Sequence, residues 1–462
     1  MHSGPINVLF MQHDAADMGG VTKVLLDLLT TLHPNLIQAT VILPEHGALE
    51  GDLTKLGVEY VIVPSVFFPG RNLNGAFNYV HQLSQRVEVI KKIIVDKKID
   101  IVHTHTIFPF EAAIAALKTN TPHIWHIHNN FFYDATPVLF YGLDISHSTV
   151  AKVYGILSDL IIPVSQDAAT FFIENDTSTK IQVIHNGINL LSFDESASNN
   201  YPTNLFLELN IPVNSRLIAT ICRVTPQKNI LLFIKAAKLI LESEKDTHFL
   251  IVGPINNDDY FLELNAFIEK NVLTKNIHFI GERTDIPTLL KHYIGICIIS
   301  SDFEGLPIVG LETLASKTPL ISTRCGGTNE LIEHEISGFL VDKNDAEDIA
   351  KYALVLLKDG ELARKIGEAG RKRVIDSFTV VAFANNFFAT YQQLIKQHNP
   401  LKQADKLAVV ETFLSLLSHN AALHEKLKSI DSRLQLIERF SDRITNNFIY
   451  RLLKKIYYFL SN

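Results

Sequence analysis

Two carboxylates bracket a helix start in the run Ser300-Ser-Asp-Phe-Glu304-Gly305-Leu306-Pro307-Ile-Val-Gly-Leu-Glu312, directly after an apolar strand at Ile296–Ile299. Pro307 suits the first helical position, where its missing N–H would have no partner anyway. Glu304, Gly305 and Leu306 then belong to the strand-to-helix turn, and Glu312 lies on the helix, roughly 7 Å farther along its axis. Acids so spaced can hold different parts of one extended ligand, while the free amides of the helix start favour an anion such as phosphate. A second group, Arg223 and Lys228, lies in Cys222-Arg223-Val-Thr-Pro226-Gln-Lys228. It follows another strand's carboxyl end, where parallel sheets bind diphosphates. A helix terminus contributes only about 0.3–1 kcal/mol toward an anion. Stabilising a departing diphosphate therefore needs fixed cations, and the loss of one preorganised donor to developing charge costs about 3–4 kcal/mol.

Asp17-Met18-Gly19-Gly20-Val21 joins the first strand to its helix, and the paired glycines let backbone amides approach a bound group closely. His103, His105, His126 and His128 fall in two strand or turn segments. None belongs to a His-Glu-x-x-His pattern, and spacing alone does not define a zinc site. His128, followed by Asn129-Asn130, is best placed to line a cleft; the others are expected to be packed or hydrogen-bonded. No Gly-x-Gly-x-x-Gly follows the opening strand, and there is neither a Walker phosphate loop nor a Gly-x-Ser-x-Gly elbow. Dinucleotide, P-loop and serine-hydrolase chemistry lose their support. Asp258-Asp259 lacks the Asp-x-Asp spacing with which some sugar transferases hold a divalent ion.

Short apolar runs must position these residues. Strands are predicted near Asn7–Met11, Thr40–Leu43, Tyr60–Val63, Ile101–His103, His123–Ile127, Leu160–Val164 and Gln182–Ile184. Helices at Val21–Leu32, Phe77–Lys97, Glu111–Lys118 and around Val150–Leu157 separate them. Residues 192–203 are polar and aperiodic, as an inter-domain linker would be. The alternation resumes with strands at Leu217–Cys222, His248–Val252, Ile277–Ile280, Ile296–Ile299, Leu320–Ser322 and Phe339–Val341. Helices are predicted there at Asn229–Leu241, Tyr260–Lys270, Pro287–His292, Pro307–Ser316 and Ala346–Leu357. This pattern is α/β, two doubly wound parallel-sheet halves with ligands in the cleft beyond the strands' carboxyl ends.

The chain has 462 residues, 47% of them hydrophobic and 20% charged, enough for two or three domains and unlike a disordered chain. A formal charge of −7 argues against a surface devoted to nucleic acid. Cys222, Cys297 and Cys325 are widely spaced, which excludes a disulfide framework or zinc knuckle and fits a reducing cytoplasm. The opening residues carry no basic segment before an apolar core, so export is not expected. No uninterrupted apolar run approaches the ~18 residues of a membrane span. Residues 401–462 contain no glycine and carry 10 Lys/Arg against 6 Asp/Glu, with apolar residues three and four apart at Leu407, Val410, Leu414 and Leu417. A separate helical tail is expected. Packing on the body or on another subunit is the favoured reading; the basic, aromatic stretch 451–460 suits a membrane-surface helix.

Taken in order, the motifs resemble the family-4 retaining nucleotide-sugar glycosyltransferases of the GT-B fold. The likeness runs from Gly19-Gly20 through His185-Asn186-Gly187-Ile188, Arg223 and Lys228, Gly281-Glu-Arg283-Thr-Asp285 and Glu304 with Glu312 to Gly326-Gly327-Thr-Asn-Glu330 and Ser337-Gly338-Phe-Leu-Val341. Thr328-Asn329 departs from the commoner Ile/Val-Pro before the glutamate, and the tail lies outside the resemblance. It implies two Rossmann-like domains, an acceptor-side domain at 1–198 and a donor domain at 199–377, with a helix at 378–399 crossing back and a tail from 400. It implies as well that Arg223 and Lys228 grip the donor diphosphate, Glu304 contacts the sugar, and Glu312 binds the ribose. Gly305, Leu306 and Pro307 would lie near the sugar and phosphates, Arg283 near the base, Gly19 and Gly20 near the phosphate, and His128 beside the reacting sugar. No metal or other cofactor is expected. The implied partners are a nucleotide-sugar donor and a glycan or lipid-linked acceptor, for an enzyme of the cytoplasm or the inner membrane face. Two alternatives share the architecture: a sugar-nucleotide epimerase, against which the Glu304–Glu312 arrangement speaks, and a non-catalytic partner protein, which the intact charged positions disfavour.

Overall fold

The computed structural model describes residues 4–16, 19–65, 73–107, 109–128, 138–140, 143–175, 180–194, 205–213, 215–398 and 406–412, and the single positions 415 and 426. The first half supplies β1 (Ile6–Met11), β2 (Ile37–Leu43), β3 (Glu59–Ile62), β4 (Ile101–His105), β5 (His123–Ile127), a small antiparallel pair β6 (Val138–Phe140) and β7 (Leu143–Ile145), β8 (Leu160–Pro163) and β9 (Lys180–Ile181). Seven of these form one sheet in the order β3-β2-β1-β4-β5-β8-β9, every pair parallel. The second half supplies β10 (Arg216–Ile221), β11 (Thr247–Val252), β12 (Ile277–Gly281), β13 (Ile294–Ile299), β14 (Leu320–Thr323) and β15 (Phe339–Val341). They form a parallel sheet in the order β12-β11-β10-β13-β14-β15. Helices cover both faces, and β4, β5 and β11 are buried at every residue, although histidines interrupt the apolar runs of β4 and β5.

The helix Gly20–Leu32 shows how pattern becomes packing: Val24, Leu25, Leu28, Leu29 and Leu32 fall three and four apart and are all buried. Pro307 differs from expectation. Its ψ of 123° is extended, and it caps a helix running Ile308–Ala315 rather than starting it. Its carbonyl instead accepts from the Gly310 amide at 3.0 Å. Of the expected linker, residues 192–194 lie in a helical turn, Leu191–Asp194, anchored by buried Phe193 and by Arg371, which donates to Asp194 at 2.6 Å. Residues 195–204 lie outside the described ones. The long helix Gly360–Ser377 was not legible as an apolar stripe because only Ile366, Gly367, Gly370 and Val374 are buried. Its signal is the cap, since Asp359 accepts from the Leu362 amide at 2.9 Å.

After that helix the chain turns back. Ile188 and Thr379 form a parallel bridge, and Ile188 donates to the Phe378 carbonyl at 2.9 Å. The helix Val380–Gln397 then lays Phe383, Ala384, Phe387 and Tyr391 into the core between β1, β2 and the helix Gly20–Leu32. Residues 406–412 continue onto the same half. Val410 is buried, Leu407 packs beside it, and Lys406 donates to the Ser158 carbonyl at 3.1 Å. Apart from positions 415 and 426, the remainder of the tail, including 451–460, lies outside the described residues. Among the described residues no helix is long and apolar enough to cross a membrane.

Phe387 is fully buried. Phe387→Ala is expected to cost about 3–5 kcal/mol in denaturant unfolding; a loss under about 1 kcal/mol would show that the returning helix is not part of the first core.

Candidate active site

A cleft of about 260 Å³ separates the two sheets, and all eleven residues singled out above line it: Gly19, Gly20, His128, Arg223, Lys228, Arg283, Glu304, Gly305, Leu306, Pro307 and Glu312. Two loops at the carboxyl ends of β10 and β13 hold Arg223, Lys228 and Glu304, while Arg283 follows β12 and Glu312 lies on the helix Ile308–Ala315. The two loops are laced together by Gln227 donating to the Phe303 carbonyl at 2.9 Å, the Asp302 amide donating to the Gln227 carbonyl at 2.9 Å, and Ser300 donating to the Lys228 carbonyl at 3.0 Å. Asn229, in the left-handed region at φ 44°, also ties to Asp302 at 2.9 Å. The lacing presents Lys228 Nζ to Glu304 Oε1 at 2.6 Å, and Ser301 Oγ donates to the same oxygen at 2.6 Å. Both side chains are largely buried. Burial works against the Lys228 charge, yet Glu304 beside it holds the ammonium above its ordinary value. Burial also pushes the neighbouring Cys222 thiol up to about 11, leaving it protonated.

Glu312 is met from the opposite half. Lys23, on the helix Gly20–Leu32, reaches across to Glu312 Oε1 at 2.5 Å. One turn on, burial pushes the Asp27 carboxyl up to about 7 despite Lys23 nearby, with Glu312 adding to the rise. Lys23 thus stands between two acids, one on each side of the cleft. Sequence reasoning missed it, because spacing along the chain carries no sign of a partner in the other half. Asp17 and Met18 lie outside the described residues. Arg283 lines the cleft, but its guanidinium is engaged, donating twice to Asp285 at 2.9 and 2.8 Å and once to Glu208 at 2.7 Å.

The two halves approach closely at Gly305. A Cβ there would lie 2.0 Å from the His128 carbonyl oxygen, so only glycine lets the sheets meet. Beneath it Gly326, at φ 69°, and Gly327 would collide with the carbonyls of Glu304 and Gly305 if they carried side chains. Asn186 adds a donor to the Leu306 carbonyl at 3.1 Å. A second clasp sits outside the cleft. Glu330 accepts from the Gln166 and Asp167 amides at 2.8 and 3.3 Å and from His185 Nε2 at 2.7 Å. The helix Gln166–Glu174 was not predicted; its Ser165 cap, accepting from Ala168 at 3.1 Å, marks it.

The histidines form a buried group behind His128. Ring nitrogens of His103, His105 and His126 lie within 4.8 Å of one another, close enough to raise the question of a metal. Both ring nitrogens of His103 are spent on protein partners, which leaves it none for an ion. His103 is instead bonded to Tyr391 Oη at 2.7 Å and to His126 at 3.2 Å. Burial holds His103, His126 and His128 well below the ordinary histidine value and His105 at about 3, so the rings are neutral at physiological pH. As expected, His103, His105 and His126 are packed and hydrogen-bonded.

Two parallel α/β sheets facing a cleft with cations and carboxylates on its walls are the GT-B architecture. Comparison with known proteins agrees. Residues 18–190 match the description "Glycosyltransferase Family 4" and residues 203–373 match "Glycosyl transferases group 1". The chain belongs to this family of GT-B glycosyltransferases. Over 326 residues it is 29% identical to the UDP-Gal:alpha-D-GlcNAc-diphosphoundecaprenol alpha-1,3-galactosyltransferase of Escherichia coli, covering 66% of this chain and 80% of that one. It is 26% identical to the N-acetyl-alpha-D-glucosaminyl L-malate synthase of Bacillus anthracis, over 72% of this chain and 86% of that one. In fold it resembles the Anabaena protein Alr3699/HepE in complex with UDP and glucose, with a TM-score of 0.68 at 21% identity, covering 84% of this chain and 99% of that one. A glycosyltransferase from Rickettsia africae gives a TM-score of 0.69 at 24% identity, over 85% and 99% of the two chains.

The clasp at Glu330 makes an acid-sensitive contribution to stability. Burial raises its pKa, but His185 and the two amides outweigh that and hold it below the ordinary glutamate value. A depressed folded pKa stabilises above the unfolded value and is lost as pH falls through the folded one. Glu330→Gln should therefore lower the melting temperature near pH 7 and narrow its gap to the parent below pH 4, a convergence that melts across pH 3–7 would reveal. Gly305→Ala should force the sheets apart and abolish transfer while each half stays folded; unimpaired transfer would contradict the close approach to His128.

Proposed function

We propose that the protein is a retaining glycosyltransferase that moves a sugar from a nucleotide-sugar donor, in the first instance a UDP-sugar, to a hydroxyl of a glycan or lipid-linked acceptor in surface polysaccharide or glycoconjugate assembly. The observation that carries this reading is the convergence of Arg223, Lys228, Glu304 and Glu312 on one cleft. The UDP and lipid-linked parts rest on the printed descriptions of relatives and neighbours, one a UDP-galactose transferase acting on a diphosphoundecaprenol-linked sugar and one bound to UDP and glucose.

In this proposal Arg223 and Lys228 take up charge as the bond between the anomeric carbon and the diphosphate oxygen breaks. The acceptor hydroxyl enters on the same face, its oxygen bonding the anomeric carbon while its proton passes to the leaving diphosphate, so configuration is kept. Glu304, held by Ser301 and Lys228, accepts hydrogen bonds from the sugar hydroxyls. Glu312 binds the ribose diol after exchanging Lys23 for it. The Gly19-Gly20 and Gly305–Pro307 backbones lie against the phosphates and sugar, and Arg283 buttresses the base-side loop. None of these steps calls on a metal ion or other cofactor. Beyond the packed residues 406–412, the tail is assigned to subunit contact or to a peripheral, inner-face membrane contact.

Arg223→Ala and Lys228→Ala should each lower turnover by about 10² or more with the fold intact; near-normal transfer by both would remove the cations from the mechanism. Glu312→Ala should weaken donor binding by about 1.5–3 kcal/mol in calorimetry, the worth of a charged hydrogen bond. Donor consumption without acceptor, yielding an epimerised nucleotide sugar, would favour the isomerase reading, and inverted product stereochemistry by NMR would overturn retention.

A further inference from the structure

His105 and His128 form a pair of their own, His105 Nδ1 lying 2.9 Å from His128 Nε2. The rings are nearly parallel, 9° apart with centroids at 5.0 Å, and His105 stacks on its other neighbour, His103, at 4.5 Å and 4°. Both rings are neutral, so one nitrogen of the pair donates and the other accepts. Two tautomer arrangements satisfy that bond, and they differ at the far ends of the pair. His105 Nε2 is buried with no protein hydrogen-bond partner. If His128 donated, the His105 proton would sit on Nε2 as a buried N–H with nothing to receive it. If His105 donates, Nε2 carries only a lone pair, and orphaned acceptors are better tolerated than orphaned donors. The second arrangement leaves the His128 proton on Nδ1, the ring nitrogen not occupied by His105, while His128 lines the cleft.

We infer that His105 is a positioning residue that locks His128 in its Nδ1–H tautomer, so that His128 offers the bound sugar a hydrogen-bond donor and cannot take a proton from the acceptor. The benefit to catalysis rests on the proposed function; the tautomer does not. His128 then grips an oxygen of the donor sugar or its phosphate, and the acceptor's proton must go elsewhere.

The test begins with the full chain labelled with 15N-histidine, the His128 ring signals being assigned by their loss in His128→Gln. Long-range nitrogen–carbon-proton correlations distinguish the tautomers: protonation at Nδ1 is expected, and protonation at Nε2 overturns the inference whether or not the protein transfers sugar. In the second arm, His105→Leu, checked for folding by its melting curve, should lower turnover on UDP-sugar donors about tenfold, the size of one lost hydrogen bond. His105→Asn, whose side-chain amide can still donate toward His128 Nε2, should recover most of it. Equal turnover in folded Leu and Asn variants would overturn the positioning role even with the tautomer as expected. Absence of transfer from the parent protein with every donor would instead fall on the proposed function and leave the tautomer result standing.

Discussion

The Lys228 ammonium and the Glu304 carboxylate meet at 2.6 Å in a largely buried cleft wall. Either charge alone would be costly in that position, because an isolated buried ion loses hydration that nothing restores. Together they hold each other in place, and Ser301 fixes the acid in one orientation. The pair is not neutralised into inertness, since Lys228 keeps a proton more tightly than an ordinary lysine and so stays cationic when an anion arrives. The lacing of the 226–229 and 300–304 loops exists to keep that geometry. It is made mainly of short polar side chains bonded to backbone carbonyls, which cannot drift without breaking several bonds at once.

Charge across the cleft and contact beneath it have different jobs. Lys23 bridges to Glu312 with a partly exposed side chain that can swing away, whereas Gly305 against the His128 carbonyl permits no slack at all. Glu330 binds the halves at a helix N-terminus and at His185, away from the cleft. The halves are therefore joined by rigid backbone at the floor, a polar clasp outside and an exchangeable ion pair at the mouth. An arrangement of that kind lets a ligand enter by replacing one contact while the others keep the walls aligned.

Much of this was legible in the sequence. The strands carrying the cleft residues stood out because parallel strands buried on both faces leave uninterrupted Val/Ile/Leu runs, and the charged residues followed directly from their carboxyl ends. Polar helices were harder. Gly360–Ser377 buries so little that its periodicity is faint, and only Asp359 at its cap announces it. Pairing across the chain was not legible at all: nothing near position 23 says that its lysine meets an acid 289 residues away, nor that His105 and His128 share a hydrogen bond. Such contacts depend on how two sheets are set against each other, and one-dimensional spacing carries no record of that.

The returning helix imposes an order on synthesis. Residues of β1 are made long before Phe383, Phe387 and Tyr391, whose hydroxyl meets His103, finish the surface they share. Until then, the earliest-made lobe carries an open seam of apolar side chains and unmatched imidazoles. The second half finishes sooner: its sheet is complete at Val341, and the last of its core side chains, Val374 and Phe378, come just before the returning helix. The nascent chain therefore waits on its own distant end, and a ribosome stalled between residues 378 and 391 holds an unfinished first half beside a second half whose core side chains are all made.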